Sequence, residues 1–530
     1  MEIREPFRGE LPSGYADYLG LYYTSKVSEE HKKNLGQFFT PIEIAKFMAE
    51  FCSHRKSRVR ILDPGCGLGI LSCALTEIIA NNKEVKEVEL VAFETDLEII
   101  HLAERSFSYL REWLVKKNII FTYFLCANDF ILHNSAVLEN KSGGEDKFDI
   151  VISNPPYFKI SKNHPVAITA KSIIYGQTNI YTIFLIISAK LLVENGQLIF
   201  ITPRSFTSGN YFRLFREIFF SIVNLKKIHL FRSRRNAFQR DKVLQENVIF
   251  SAFKKREENN QQLILPFDTF SNNYSLEISI SNGLNDLNER EVKDFNFKSL
   301  VNLESFQKIL HLPTSINDER AIKVFKTWEN SLNSYDIQIS TGPVVAFRSV
   351  EFISEILEES YVPLIWLHNV NKMHFEWPKE YSKGKLKGQY IKVCKESYSR
   401  LLPNRNYIFL RRFSSKDDSS RLIACPFLKK WIPNTKIGVE NHLNYIYKPE
   451  GELSETEVMG IAAILNSRLF DLYFRTFNGN INVSATELRE MPLPDLTTIK
   501  RIGSKVLANK IKTQHLIDQI LYGIFKIELD

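Results

Sequence analysis

The chain has 530 residues, too many for one hydrophobic core, so two or three domains are expected. Its composition, 44% apolar and 25% charged, is that of an ordinary soluble protein. A net charge of +8 with 12% aromatic residues is compatible with a polyanionic partner but does not require one. The six cysteines form no C-x-x-C pair and no Cys/His cluster, which argues against structural zinc and for a reducing, cytoplasmic compartment; no metal is expected. The opening Met-Glu-Ile-Arg-Glu has no apolar signal core. The longest apolar stretch, 180–192, is broken by Tyr181, Thr182, Ser188 and Lys190, so it reads as a buried helix and not a membrane span.

In chain order, the first 250 residues alternate short apolar strands with helical stretches. Strands are expected at 59–62, 90–93, 121–125, 150–153, 197–201, 227–231 and 247–253, and helices at 42–52, 70–79, 97–115 and 180–192. Such alternation predicts a doubly wound, mostly parallel seven-stranded α/β sheet, its last two strands closing as an antiparallel hairpin. Residues 254–262 read as a polar linker. Beyond it the pattern turns irregular, with one good helix at 455–474, and predicts a separate mixed α+β domain. The boundaries read from the sequence are an N-terminal arm 1–28, a catalytic domain 29–258 and a second domain 259–530.

Four places carry chemistry. Leu35-Gly36-Gln37-Phe38-Phe39-Thr40-Pro41 precedes the first helix, with Thr40 as its N-cap and Pro41 at N1. Asp63-Pro64-Gly65-Cys66-Gly67-Leu68-Gly69 joins a strand to a helix, and its glycines let the backbone approach a ligand closely. This loop is not the G-x-G-x-x-G of a hydride-transfer site. Its leading Asp63 repels a pyrophosphate and welcomes a sulfonium or ammonium, so the cofactor looks cationic. Glu94 ends the next strand, where a carboxylate can take ribose hydroxyls, and Asp129 follows the third, placed to accept from an adenine amino group. Each acid alone is more often a solvated loop residue; three successive strand ends of this kind are harder to dismiss.

The fourth place is Asn154-Pro155-Pro156-Tyr157, after the apolar run 150–152. Neither proline donates a backbone hydrogen bond and both hold φ near −65°, so the strand ends in a rigid extended lip. A side-chain amide, outward carbonyls and an aromatic face there suit the grip of a planar NH₂ group while a ring stacks on Tyr157.

The order of these motifs resembles the γ-class adenine-N6 DNA methyltransferases of restriction–modification systems, over roughly residues 30–255. The resemblance implies S-adenosylmethionine as cofactor. Thr40, Asp63, Gly65 and Gly67 would meet its methionine part, Glu94 its ribose, and Asp129 with Pro156 its adenine. It further implies that Asn154 and the Pro155 carbonyl hold the amino hydrogens of a flipped-out adenine, with Tyr157 and Phe238 stacking on the base; Phe231 is the alternative second aromatic. No histidine is placed to be an obligatory base.

Residues 204–240 carry Arg213, Arg216, Lys226, Lys227, Arg232, Arg234, Arg235 and Arg240 against Glu217 alone. A solvated face is the default reading of such a run, and phosphate contact is its rival. A second basic cluster, 379–395 with Arg405, Arg411 and Arg412, interleaves Tyr381, Tyr390 and Tyr398 and falls in the half the family uses for target recognition. Glu291-Val292-Lys293 with Asp286 is too common a pattern to indicate a fused nuclease. The expectation is a monomeric, site-specific adenine-N6 methyltransferase of duplex DNA, with a separate restriction endonuclease as its counterpart. The rivals are a methyltransferase of RNA, of cytosine N4 or of protein glutamine, and a non-catalytic DNA-binding specificity module.

Overall fold

Segments of six to twelve residues, most of them apolar and too short to make a stable helix alone, pair into a sheet in the first half of the chain. The computed structural model describes residues 3–28, 39–54, 56–139, 147–174, 179–232, 246–256, 274–379, 388–414, 418–479, 483–511 and 513–529. The chain divides into two units, Met1–Leu310 and His311–Asp530.

In the first unit, helix α1 (Pro12–Thr24) and α2 (Ile42–Ala49) precede an alternating series. It runs β1 (Arg58–Asp63), α3 (Ile70–Ile79), β2 (Glu87–Phe93), α4 (Leu97–Val115), β3 (Ile120–Cys126), β4 (Phe148–Ser153), α5 (Ile180–Leu191) and β5 (Leu192–Pro203). Then come α6 (Arg213–Ile222), β6 (Val223–Phe231), β7 (Asn247–Lys254), β8 (Ser275–Ser281) and β9 (Glu291–Asn296). Among the described residues these strands form one nine-stranded sheet in the order β3-β2-β1-β4-β5-β7-β6-β8-β9. The pairs from β3 through β5 are parallel, and β7 inserts antiparallel between β5 and β6. All seven expected strands are present, and the expected closing hairpin is β6 with β7.

Two boundaries moved. β8 pairs in parallel with β6, and β9 antiparallel with β8, so the sheet continues past residue 258. The segment 1–28, expected as an N-terminal arm, carries α1, which buries Tyr15, Leu19 and Tyr23 against Leu68, Ile99 and Leu102. Polar ties secure it: Ser13 N and Oγ donate to Glu77 at 2.6 and 2.9 Å, and Tyr23 Oη donates to Asp96 at 2.8 Å.

The reversal of strand order falls between β1 and β4, and a doubly wound sheet opens its ligand crevice at the carboxyl ends of the strands there. Below it the core is aliphatic, with Ile61, Leu90, Ile150 and Ile199 packed against the buried faces of α2 and α3. Glycine is required at 69, where φ is +82° and a Cβ would lie 2.5 Å from the Phe107 ring.

In the second unit, one sheet joins Gln338–Thr341, Leu443–Tyr447, Tyr407–Arg411 and Ala424–Phe427, all antiparallel. A mixed five-stranded sheet runs Ile353–Ser354, Tyr390–Lys392, Tyr361–Ile365, Lys436–Val439 and Leu401–Pro403. The helix expected at 455–474 is two, α7 (Glu455–Asn466) and α8 (Arg468–Arg475). Ser467 divides them, adopting extended backbone (ψ 151°) and capping α8 through the Phe470 amide.

Candidate active site

The loops after β1, β2 and β3 are knitted together by their backbones. Cys66 N donates to Phe93 O at 2.9 Å, and Glu94 N donates to Cys126 O at 3.1 Å. Gly67, at φ +53°, donates its amide to Glu94 Oε2 at 3.2 Å, and Glu94 Oε1 accepts from Thr95 N and Asp96 N at 2.7 and 3.0 Å. Burial pushes the Glu94 carboxyl up against these amides.

Asp63 has no exposed surface and lies beneath the glycine turn, so it does not line the pocket above it. Its Oδ2 accepts from Ser72 Oγ at 2.7 Å, and Oδ1 is left without a hydrogen bond of good geometry. Burial drives its carboxyl up to about 7, opposed by the Ser72 hydroxyl and the nearby Gly65 amide. An under-compensated buried acid beneath a cradle of Gly65 and Gly67 fits a cationic ligand group.

The pocket over this loop encloses about 420 Å³ including its open mouth, and Thr40, Gly65, Gly67 and Asn154 share its lining. Phe39 and the loop and helix residues Cys66, Leu68, Ile70 and Leu71 add to the wall, as do Ala16, Asp17 and Gly20 of α1, three residues that sequence reasoning missed. The available signal was Ala16 and Gly20, small residues four apart in an otherwise aromatic-rich helix. Asp129 stands past β3 and caps the short helix Phe130–His133 through the Leu132 amide at 2.9 Å.

Thr40 does not cap α2. The cap position is Pro41, whose carbonyl accepts the first helical bond from Ala45 N at 3.0 Å. The Thr40 hydroxyl turns instead to Asn154, accepting from Nδ2 at 3.0 Å. Asn154 Oδ1 faces the Tyr157 hydroxyl, which also lies 2.8 Å from Ile201 O. The Tyr157 phenol is buried, which pushes its ionisation well above the usual range, while the residue as a whole keeps exposed surface. The hydroxyl is therefore neutral and anchored. Pro155 is buried and Pro156 half-buried.

Tyr181 meets Tyr157 edge-on at 6.2 Å and stacks on Phe212 at 6.0 Å, its hydroxyl 3.0 Å from Ser205 Oγ. Phe231 is 7% exposed and packed in the core, so it presents no stacking face. Phe238 lies outside the described residues, as do Gly36, Gln37 and Phe38.

One member of the basic run, Arg216, is structural, while Lys226 and Arg232 are exposed. Arg216 is fully buried and donates to the carbonyls of Phe206, Ser208, Gly209 and Gln307 at 2.6–3.1 Å, pinning the loop after β5. Arg213, Lys227 and Arg232 pair with Glu217, Glu277 and Glu291; Arg234, Arg235 and Arg240 lie outside the described residues. In the second cluster, Arg411 Nε donates to Val370 O at 2.7 Å, whereas Tyr398 is exposed beneath Lys436, 3.9 Å from its ring centre. A different basic segment stands out. No acid occurs between Asp149 and Glu194, and Lys159, Lys162 and Lys171 there are exposed.

The doubly wound sheet carries a glycine turn after β1 and an Asn-Pro-Pro-Tyr lip after β4, and comparison with known proteins gives the chain a family. Residues 75–238 match the family model of the Eco57I restriction-modification methylase. The type II methyltransferase M.BsuBI of Bacillus subtilis is 32% identical over 91% of each chain. The type II methyltransferase M.PstI of Providencia stuartii is 27% identical over 94% of each. A solved DrdV–DNA complex is 13% identical, with a TM-score of 0.47 over 94% of this chain and 59% of that one. The chain belongs to the restriction–modification type II methyltransferases.

Proposed function

We propose that this chain is a site-specific DNA methyltransferase acting on N6 of an adenine flipped out of duplex DNA. The observation that carries the reading is the end of β4. There the amide of Asn154 is held between Thr40 and Tyr157, a half-buried residue whose hydroxyl is buried.

S-adenosylmethionine is the cofactor, and when bound it supplies a methyl group made electrophilic by the sulfonium. Thr40, Gly65 and Gly67 would hold its methionine part, with the field of Asp63 beneath. Glu94 would hold its ribose, and Asp129 with Pro156 its adenine. An adenine amino nitrogen is a weak nucleophile because its lone pair is delocalised into the ring. Asn154 Oδ1 and the Pro155 carbonyl accept its two hydrogens and favour a lone-pair-rich nitrogen, so alignment does most of the work. Stacked duplex bases are out of reach of this lip, so the base flips and stacks on Tyr157, with Phe238 as the second aromatic. Exposed Lys159, Lys162 and Lys171, in a stretch free of acids, suit phosphate contacts. The second unit carries target recognition, and a separate endonuclease that cuts the unmethylated site is the expected counterpart.

The test is to express the chain in cells lacking DNA methylation and to sequence modified bases in their DNA. N6-methyladenine at one short sequence is the expected result. N4-methylcytosine, or no modified DNA alongside methylated RNA or protein, overturns the assignment.

A further inference from the structure

The amide that receives the substrate amino group must present its oxygen, and an asparagine side chain is nearly symmetric in shape. Rotation of that amide by half a turn replaces an acceptor with a donor and turns attraction for an NH₂ group into repulsion. In this chain each end of the Asn154 amide meets a hydroxyl. Nδ2 donates to Thr40 Oγ1 at 3.0 Å, and Oδ1 faces Tyr157 Oη. The tyrosine has one proton for two acceptors, Asn154 Oδ1 and Ile201 O, the latter 2.8 Å away. The Tyr157 hydrogen bond to the amide is thus a divided one, because its O–H can turn to the backbone carbonyl. Thr40 is 6% exposed and sits just before α2, whose first turn is anchored by Pro41, so its hydroxyl is placed by the fold and not by a flexible loop tip.

We propose that Thr40 is a positioning residue for the transfer step: its hydroxyl holds the Nδ2 end of Asn154 so that Oδ1 faces the substrate amino group. The Tyr157 O–H turns to donate to Ile201 O when the substrate donates to Oδ1, the phenol keeping its proton, and every acceptor is then served. This goes beyond cofactor contact, the role the sequence pattern implies for Thr40, and it rests on Asn154 being the acceptor for the substrate amino group.

The two roles separate in one experiment on the full-length protein. Thr40→Val keeps the shape and removes the hydroxyl; Thr40→Ser restores it. Cofactor affinity is measured by calorimetric titration with S-adenosylhomocysteine, and methyl transfer by single turnover on cognate DNA at saturating S-adenosylmethionine. The expected result for Thr40→Val is a transfer rate about tenfold lower even at saturation, the size of one lost hydrogen bond, with Thr40→Ser within about twofold of the parent. On the Asn154→Asp background, where no amide donor exists to orient, adding Thr40→Val costs less than about twofold. A Thr40→Val enzyme that binds cofactor more weakly but transfers at the parental rate once saturated overturns the inference and leaves only the cofactor role. Equal losses in the Val and Ser variants, or a full additive loss on the Asp background, overturn it as well. Turnover surviving Asn154→Ala would sink the reading of the site itself, a distinct outcome.

Discussion

The Gly67 amide donates to Glu94 Oε2 at 3.2 Å, so the turn after β1 and the acid after β2 are joined before any ligand arrives. Glu94 also accepts from Thr95 N and Asp96 N on Oε1, which leaves an acceptor site on Oε2 for a ribose hydroxyl. Glu94→Ala removes both the loop tie and the ribose acceptor. Its dissociation constant for S-adenosylhomocysteine should rise by about 10- to 100-fold, the range for losing one or two hydrogen bonds to a charged acceptor. An unaltered titration curve would refute the ribose role.

Asp63 carries the clearest pH signature. Its folded-state carboxyl titrates at about 7, above the ordinary 3.8, because burial disfavours the charge. Raised acid pKa means the folded chain binds a proton that the unfolded chain has released, so this group's contribution to stability falls as pH rises from about 4 to 7. Thermal melts should therefore show Asp63→Asn gaining on the parent as pH rises from about 4 to 7 and levelling off above it. Cofactor affinity should move the other way: in the parent it weakens as pH falls below about 7, and in the Asn variant it is lower and flatter across that range. Parallel pH curves for the two proteins would remove Asp63 from cofactor binding.

Asn154→Ala deletes an acceptor at the rim of the pocket and leaves the glycine cradle intact. Methyl transfer should fall by at least about 100-fold, the scale for a lost transition-state hydrogen-bond partner. Calorimetric binding of S-adenosylhomocysteine should stay within about threefold of the parent, since the cradle does not depend on this amide. Comparable loss of both would mean that the residue supports the pocket and not the chemistry.

Phosphate contacts make DNA binding steeply salt-dependent, with a log–log slope near −0.9 per contact. Replacing Lys159, Lys162 and Lys171 together with Gln should make that slope shallower by about two to three in a fluorescence-anisotropy titration. The parental slope persisting in the triple variant would place the phosphate contacts elsewhere.

In the second unit, α7 crosses the helix Leu496–Ala508 at contact distance through two glycines. A Cβ on Gly460 would lie 2.1 Å from Ile499 O, and one on Gly503 would lie 1.9 Å from Thr456 O. Gly503→Ala should cost about 1–3 kcal/mol in chemical denaturation, the usual penalty of overpacking. Gly523→Ala is the control, because its Cβ meets nothing within 4 Å; helix propensity makes it neutral or stabilising by about 0.5–1 kcal/mol.

Several elements were invisible in the sequence for identifiable reasons. Residues 455–474 keep an apolar period across Ser467, yet that serine spends its hydroxyl on a new cap and splits the helix. β9 is almost wholly exposed and polar, and only pairing with β8 makes it a strand. Arg216 reads as part of a solvated charge run, because nothing near it in sequence announces the four carbonyls that bury it. Helix α1 carries its apolar face against α4, about 80 residues further along the chain, so its docking has no local signature.

By itself the sequence determined the strand–helix alternation, the glycine turn and the Asn-Pro-Pro-Tyr lip. Those features depend on neighbours within a few residues, through side-chain period, glycine's access to positive φ and proline's fixed φ. Only the tertiary structure decided which atoms meet. The Thr40 hydroxyl reaches an amide 114 residues away, Asp63 sinks below the pocket it was expected to line, and α1 becomes a wall of that pocket. These contacts follow from the order in which the strands assemble, which sets long-range distances that no local pattern encodes.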